Sequence, residues 1–407
     1  LDQLIGDRPW LQHAVFALAG IANAWLLIRL LRKLGVSDAA SLGAGAAFLW
    51  LPSVVYTHGW VATLADVICL GLLLGIALRL ASRPGSAFVD AIVVVAMTLA
   101  ALASKESAVV FPALLLGLAA AGVERRRILL AIALSGFCVA IYLALRWHAL
   151  FGAPNSEPIY ATNLGAVPMR WLEYFLFPFV PPLLECGVAL QKSLARLVLA
   201  GALHTGVCLA LARIDWRWPV AYLALFTAAL GPVLVLGASA NHYAYLASAA
   251  VCTVVAVAWP RFDCFARGLV GAALTVALVH GIAIGLKLRE IGAMQTRFFV
   301  SLAAIQNKQP GVPLRIGAQQ SSDVWLLQRW LLAGKSFRGV AIADRLVPSG
   351  SADADLLMHP DGSVEWRRSR PGSGGVAGPT APIGSGASPL TGLAAVRTPA
   401  PELPPAS

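Results

Sequence analysis

The sequence is short of charge. Of its 407 residues, 13% are Asp, Glu, Lys or Arg, about half the ~25% usual in soluble domains. Six cysteines (Cys69, Cys138, Cys186, Cys208, Cys252 and Cys264) are scattered with no CxxC pair. That scatter excludes a disulfide framework and a zinc site, and it leaves small groups buried among apolar neighbours. There is no Walker A loop, GxSxG, HExxH, or GxGxxG opening a helix after a strand, so the familiar soluble nucleotide, hydrolase and metalloprotease sites are excluded. No repeat of 20–50 residues is visible, which excludes a solenoid.

What is abundant is apolar surface, 58% of positions with a mean hydropathy of +0.74. The chain reads as an all-α polytopic membrane protein. Lys and Arg number 31 against 20 Asp and Glu, for a net charge of +11. In a membrane protein that excess belongs to basic loops on the cytoplasmic side, and no nucleic-acid partner is implied.

A membrane helix needs about 20 apolar residues. Ten segments meet the pattern: 11–33, 39–56, 60–81, 88–103, 107–123, 128–150, 194–212, 218–237, 243–259 and 268–288. Arg29, Arg32, Lys33, Arg79, Arg83, Arg125, Arg126, Arg127, Arg213, Arg217, Arg261 and Arg267 then share one side, and the short opposite loops hold one lysine between them, Lys105, and no arginine. This bias requires segment 169–186 not to cross, and Pro178, Pro181 and Pro182 would disrupt its second half. It is expected to be interfacial or re-entrant within an exoplasmic loop, 151–192. Residues 1–10 are expected to end a first exoplasmic loop, and 11–289 form the helical domain. Residues 290–370 read as a small exoplasmic α/β domain, with strands at 313–317 and 339–343, a helix at 323–332 and a hairpin at 356–366. The Gly-, Pro- and Ser-rich tail, 371–407, reads as disordered.

Polar residues in or beside spans are expensive and are the default functional candidates. Lys105 follows Ser104 and precedes Glu106 and Ser107. Ser104 and Glu106 suit a helix N-terminus, whereas Lys105 is either a snorkelling anchor or an ammonium for a lipid phosphate. Asn241, His242, Tyr243 and Tyr245 open another helix. Asn241 suits an N-cap, and the aromatic residues are either interfacial anchors or phosphate donors. His13 and Asn23 lie roughly 80° apart around one helix and need not share a partner. Asp66 must pair or protonate within its span. Arg146, beside Trp147 and His148, is a candidate for an anionic substrate or an ordinary interfacial anchor.

These blocks, taken in order, resemble the GT-C superfamily of polyprenyl-phosphate-sugar-dependent glycosyltransferases, which includes transmembrane O-mannosyltransferases and bacterial relatives. The resemblance runs from Pro9 to about Leu288. Pro9, His13 and Asn23 are similar to one family helix, and Pro52, Trp60 and Asp66 to a second block. Residues 103–108 followed by Pro112 resemble an SKExAxxxP helix start. Phe177 and Pro178 resemble an exoplasmic PxxL segment, and 242–248 resemble RYLYLPS. Gly20 stands where a second His is frequent, Tyr56 and Leu64 replace polar residues, and His242 replaces the usual Arg.

The resemblance implies an inner-membrane glycosyltransferase of a bacterium, with its active face toward the periplasm. It would take its sugar from a polyprenyl-phosphate carrier in the lipid bilayer and pass it to a glycan, lipid or protein acceptor. Lys105 and His242 match the phosphate-handling positions, with Arg146 and Tyr245 as further donor-phosphate candidates. His13, Asn23, Asp66 and Glu106 match polar positioning sites. The resemblance allows a divalent cation as cofactor, although the sequence offers no ligand set. It places the catalytic acid in the first exoplasmic loop, which is expected to lie upstream of this sequence; neither Asp2 nor Asp7 is assigned the role. Two other readings remain open. One is a carrier of lipid-linked saccharides, transporter or ligase-like, although paired broken helices and inverted repeats are not evident. The other is a non-catalytic relative.

Overall fold

The computed structural model describes residues 9–82, 86–147 and 162–308, with short pieces at 316–318, 336–337, 340–341 and 356–366. Within these the chain is almost entirely helical. The helices are α1 (Pro9–Lys33), α2 (Asp38–Trp50), α3 (Pro52–Gly59), α4 (Leu64–Ala81), α5 (Ala87–Ser104), α6 (Phe111–Ala120) and α7 (Arg125–Trp147). They continue with α8 (Val167–Leu176), α9 (Leu194–Ala212), α10 (Arg217–Leu230), α11 (Tyr245–Ala258) and α12 (Cys264–Lys308). Eight stretches are long and apolar enough to cross a membrane, or nine if one bent pair counts as a span. Large apolar side chains point outward, among them Leu145 and Phe88 at 81% and 72% exposure. Water would penalise such a surface, whereas lipid does not.

Eight of the ten expected segments coincide with span-length apolar helices over their described residues, and two differ. Segment 39–56 is α2 and α3, bent by 59°. Leu51 precedes Pro52 and is extended (ψ 142°), as the proline ring requires, and Pro52 starts the next helix without needing an N–H partner. A side chain at Gly281 of α12 would strike the Trp50 carbonyl at this bend. Segment 107–123 becomes a 3₁₀ turn, Glu106–Val110, followed by α6, a 15-residue apolar stretch in all. Segment 169–186 is no continuous helix: α8 gives way at Phe177 to a 3₁₀ turn.

The ends of the helices sort by charge. At one end Asp90 of α5 takes Arg79 of α4 at 2.8 Å and Arg127 of α7 at 2.6 Å. Arg127 also donates to the carbonyls of Leu80 and Ser82, each at 2.9 Å. Arg213 pairs with Asp263 at 2.6 Å, and Arg261 lies over Trp218. The Ala266 N–H and the Arg213 guanidinium hold the Asp263 carboxyl below its ordinary range. Asp66 and Lys105 occupy the other ends of α4 and α5, about 20 Å away at 1.5 Å per residue.

Helix α12 has 45 residues, about 67 Å of helix, more than twice a ~30 Å hydrocarbon core. Where a span over 268–288 is expected, the helix runs on to Lys308. Beyond it, β1 (Ile316–Ala318) pairs in parallel with β4 (Leu356–Met358), which pairs antiparallel with β5 (Val364–Trp366). Between β1 and β4 in sequence, β2 (Ser336–Phe337) and β3 (Val340–Ala341) form a separate two-stranded ladder. The expected hairpin is present, and its Gly362 turn abuts the Met294 carbonyl of α12. Residues 1–8, His148, the expected helix at 323–332 and the tail at 371–407 lie outside the described residues.

Candidate functional site

Two neighbouring polar groups are built where α3, α4, α5 and α11 meet. In the first, α5 ends at Ser104, whose hydroxyl donates back to the Ala100 carbonyl. Ser104 therefore closes α5 and does not cap the next turn, because the chain needs that hydroxyl on its last exposed carbonyls. Lys105 is extended (φ −153°, ψ 133°), which turns its side chain inward. Its ammonium lies 3.5 Å from the Asp66 carboxylate in the first turn of α4, and 5.3 Å from the centre of the Tyr243 ring. Asp66 is buried and the Lys105 side chain only 16% exposed. The imidazole of His242 packs edge-on to Trp60 at 5.5 Å and against Tyr243 at 4.2 Å. Glu106 is exposed.

The second group ties four helices together. The Asn23 amide of α1 donates to the Val67 carbonyl at 2.8 Å and to the Tyr245 hydroxyl at 3.1 Å. With its oxygen accepting from Asn23, the Tyr245 hydroxyl has its own proton for His58 Nε2, 2.9 Å away. The tyrosine ring also packs on Phe48. His58 was not singled out in the sequence. Its signal was Gly20, three helical turns into α1: any side chain there would collide with the His58 ring.

Of the sequence-predicted residues, the structure brings together Lys105, Asp66, His242, Tyr245 and Asn23. It does not bring Arg146, which is exposed and donates to Tyr142 at 3.1 Å within α7. His13 is exposed on α1, about 15 Å along the helix from Asn23.

A third polar group was missed. Glu173 of α8 accepts from Arg170 at 2.8 Å and from Ser239 at 2.6 Å, and Arg170 also donates to the Gly237 carbonyl. Asn241 does not cap a helix; its amide grips the loop, accepting from Cys186 N–H at 2.7 Å and donating to Leu184 at 2.6 Å. Burial pushes the Tyr174 phenol and the Cys186 thiol well above their ordinary ranges, so both stay protonated. The signal for this group, a Glu three residues after an Arg in an amphipathic stretch, is common on any helix.

Electrostatically, the first group offers one ammonium set between a carboxylate and a phenol ring, with an imidazole packed on the far neighbour, Tyr243. It can hold an anion at the cost of loosening Asp66. No three metal-ligating side chains gather among the described residues. The chain matches no family model, no curated protein and no solved structure.

Proposed function

We propose that this protein is an integral membrane glycosyltransferase of GT-C type, which transfers a sugar from a polyprenyl-phosphate donor to an acceptor hydroxyl on the face opposite its arginine-bearing turns. In a bacterium that face is the periplasmic side of the inner membrane. The observation that carries this reading is Lys105: one inward-turned ammonium, set beside Asp66 and the Tyr243 ring at a helix end where a lipid phosphate would lie. A phosphate leaving group gains negative charge as the sugar departs, and a preplaced cation in a poorly solvated site stabilises that charge. Asp66 fixes the ammonium, and Asn23, Tyr245 and His58 hold the surrounding helices in register. No residue is assigned as the base that activates the acceptor.

The test is transfer of labelled sugar from polyprenyl-phosphate hexose in proteoliposomes of the full-length protein. Lys105→Ala is expected to lower turnover by about 10²–10³-fold, the range for loss of one charge-stabilising group. Unchanged turnover in a correctly inserted variant defeats the assignment. Movement of the donor lipid across the bilayer without a new glycosidic bond would show a carrier instead.

A further inference from the structure

Helices α1, α4, α6, α10 and α11 enclose a cavity of about 710 Å³, within the ~300–1,000 Å³ range of ligand sites. It exists because small residues face it: Ala77, Gly117, Ala221, Ala224, Ala249 and Ala250 leave room where larger side chains would close the helices together. Its walls are otherwise almost all apolar, with Phe111 and Trp218 among the leucines, and Leu116 on one wall is 58% exposed, so the cavity opens toward the membrane.

Water has little to hold it there. Along the walls Thr253 is the main polar side chain, and its hydroxyl is already given to the Ala249 carbonyl at 2.8 Å. A space lined this way takes hydrocarbon, because buried water needs two or more polar partners. The charged lining residues, Asp215 and Arg217, sit at one mouth. Asp215 is committed to the Arg217 backbone N–H at 2.9 Å. The Arg217 guanidinium is exposed, lies 5.9 Å from the Trp216 ring, and has no ion pair among the described residues.

We infer that this cavity is a binding site for one anionic phospholipid of the leaflet on the arginine-bearing side. Its phosphate is held at Arg217 and an acyl chain runs between α6, α10 and α11. The polyprenyl donor is the competing occupant. Lys105, the cation proposed for the donor phosphate, is not among the lining residues, whereas the exposed Arg217 guanidinium is, so charge complementarity favours a phospholipid headgroup at that mouth. This inference stands apart from sugar transfer, because its test measures only lipid retention.

The experiment is native mass spectrometry of the intact purified protein exchanged into defined phosphatidylglycerol, phosphatidylcholine or polyprenyl phosphate. A single phosphatidylglycerol should survive a detergent wash that removes phosphatidylcholine. Arg217→Gln should cut the preference by about fivefold, the worth of one cation at a lipid surface, and Ala224→Trp should abolish retention of phosphatidylglycerol. Because the tryptophan variant could misfold, brominated phosphatidylglycerol supplies a second measurement. It should quench a component of the fluorescence of the unaltered protein that is missing from Trp218→Phe, since Trp218 lines the same wall. Equal retention of the two phospholipids, no effect of Arg217→Gln, absence of the quenched component, or one-for-one displacement by polyprenyl phosphate would each overturn the inference.

Discussion

Gly20 and His58 share one volume: the imidazole of α3 sits where any side chain on that face of α1 would have to go. The ring reaches Tyr245 only because α1 carries no side chain at that point. The imidazole that shares the Tyr245 hydroxyl with Asn23 of α1 is therefore supplied by α3.

Gly20→Leu is therefore expected to displace His58 and cost about 1–3 kcal/mol, as overpacking does. His58→Ala opens the space again. The double variant should be more stable than the sum of the single losses by at least ~0.5 kcal/mol. Thermal unfolding in detergent reads this, and strict additivity would deny the shared volume.

Lys105→Met leaves a buried Asp66 carboxylate without its cation, which is expected to destabilise the protein by up to ~3–5 kcal/mol. Asp66→Asn combined with Lys105→Met should recover most of that stability without recovering sugar transfer. If both recover together, the pair is a structural pin and Lys105 holds no substrate.

At the other helix ends, Arg127→Met is expected to cost about 1–3 kcal/mol, because buried Asp90 keeps Arg79 but loses its two charged hydrogen bonds from Arg127. Arg32→Met removes an exposed pair with Asp38 and should cost no more than ~1 kcal/mol. Similar losses for both would mean that burial does not set the value of these pairs.

Sidedness is tested with single cysteines at Ser104 and Arg126 in a background lacking Cys264, the exposed native thiol. A membrane-impermeant maleimide on intact cells should label the first and reach the second only after permeabilisation. Labelling of both without permeabilisation would remove the basis for the proposed function.

The helices were legible because lipid demands one thing of a span, a long apolar run, and the sequence shows it directly. The ends were less so. Segment 39–56 was read as one span although it contains Pro52, and it bends by 59° there, where α12 passes close at Gly281. Lys105 and Asp66 were each visible as costly polar residues, whereas their pairing depends on the register of α4 against α5. His58 was invisible because its importance is recorded at a glycine 38 positions away. Asn241 was misjudged as a cap because capping is local, and its partners at Leu184 and Cys186 are over 50 residues distant.

The 45-residue α12 runs unbroken from the Arg213–Asp263 pair, past the bend at Trp50, to the strands beside Met294. At Gly281 this rod carries no side chain, which lets the Trp50 carbonyl and Val55 of α3 close against it, so the helix that carries His58 is seated on a bare stretch of α12.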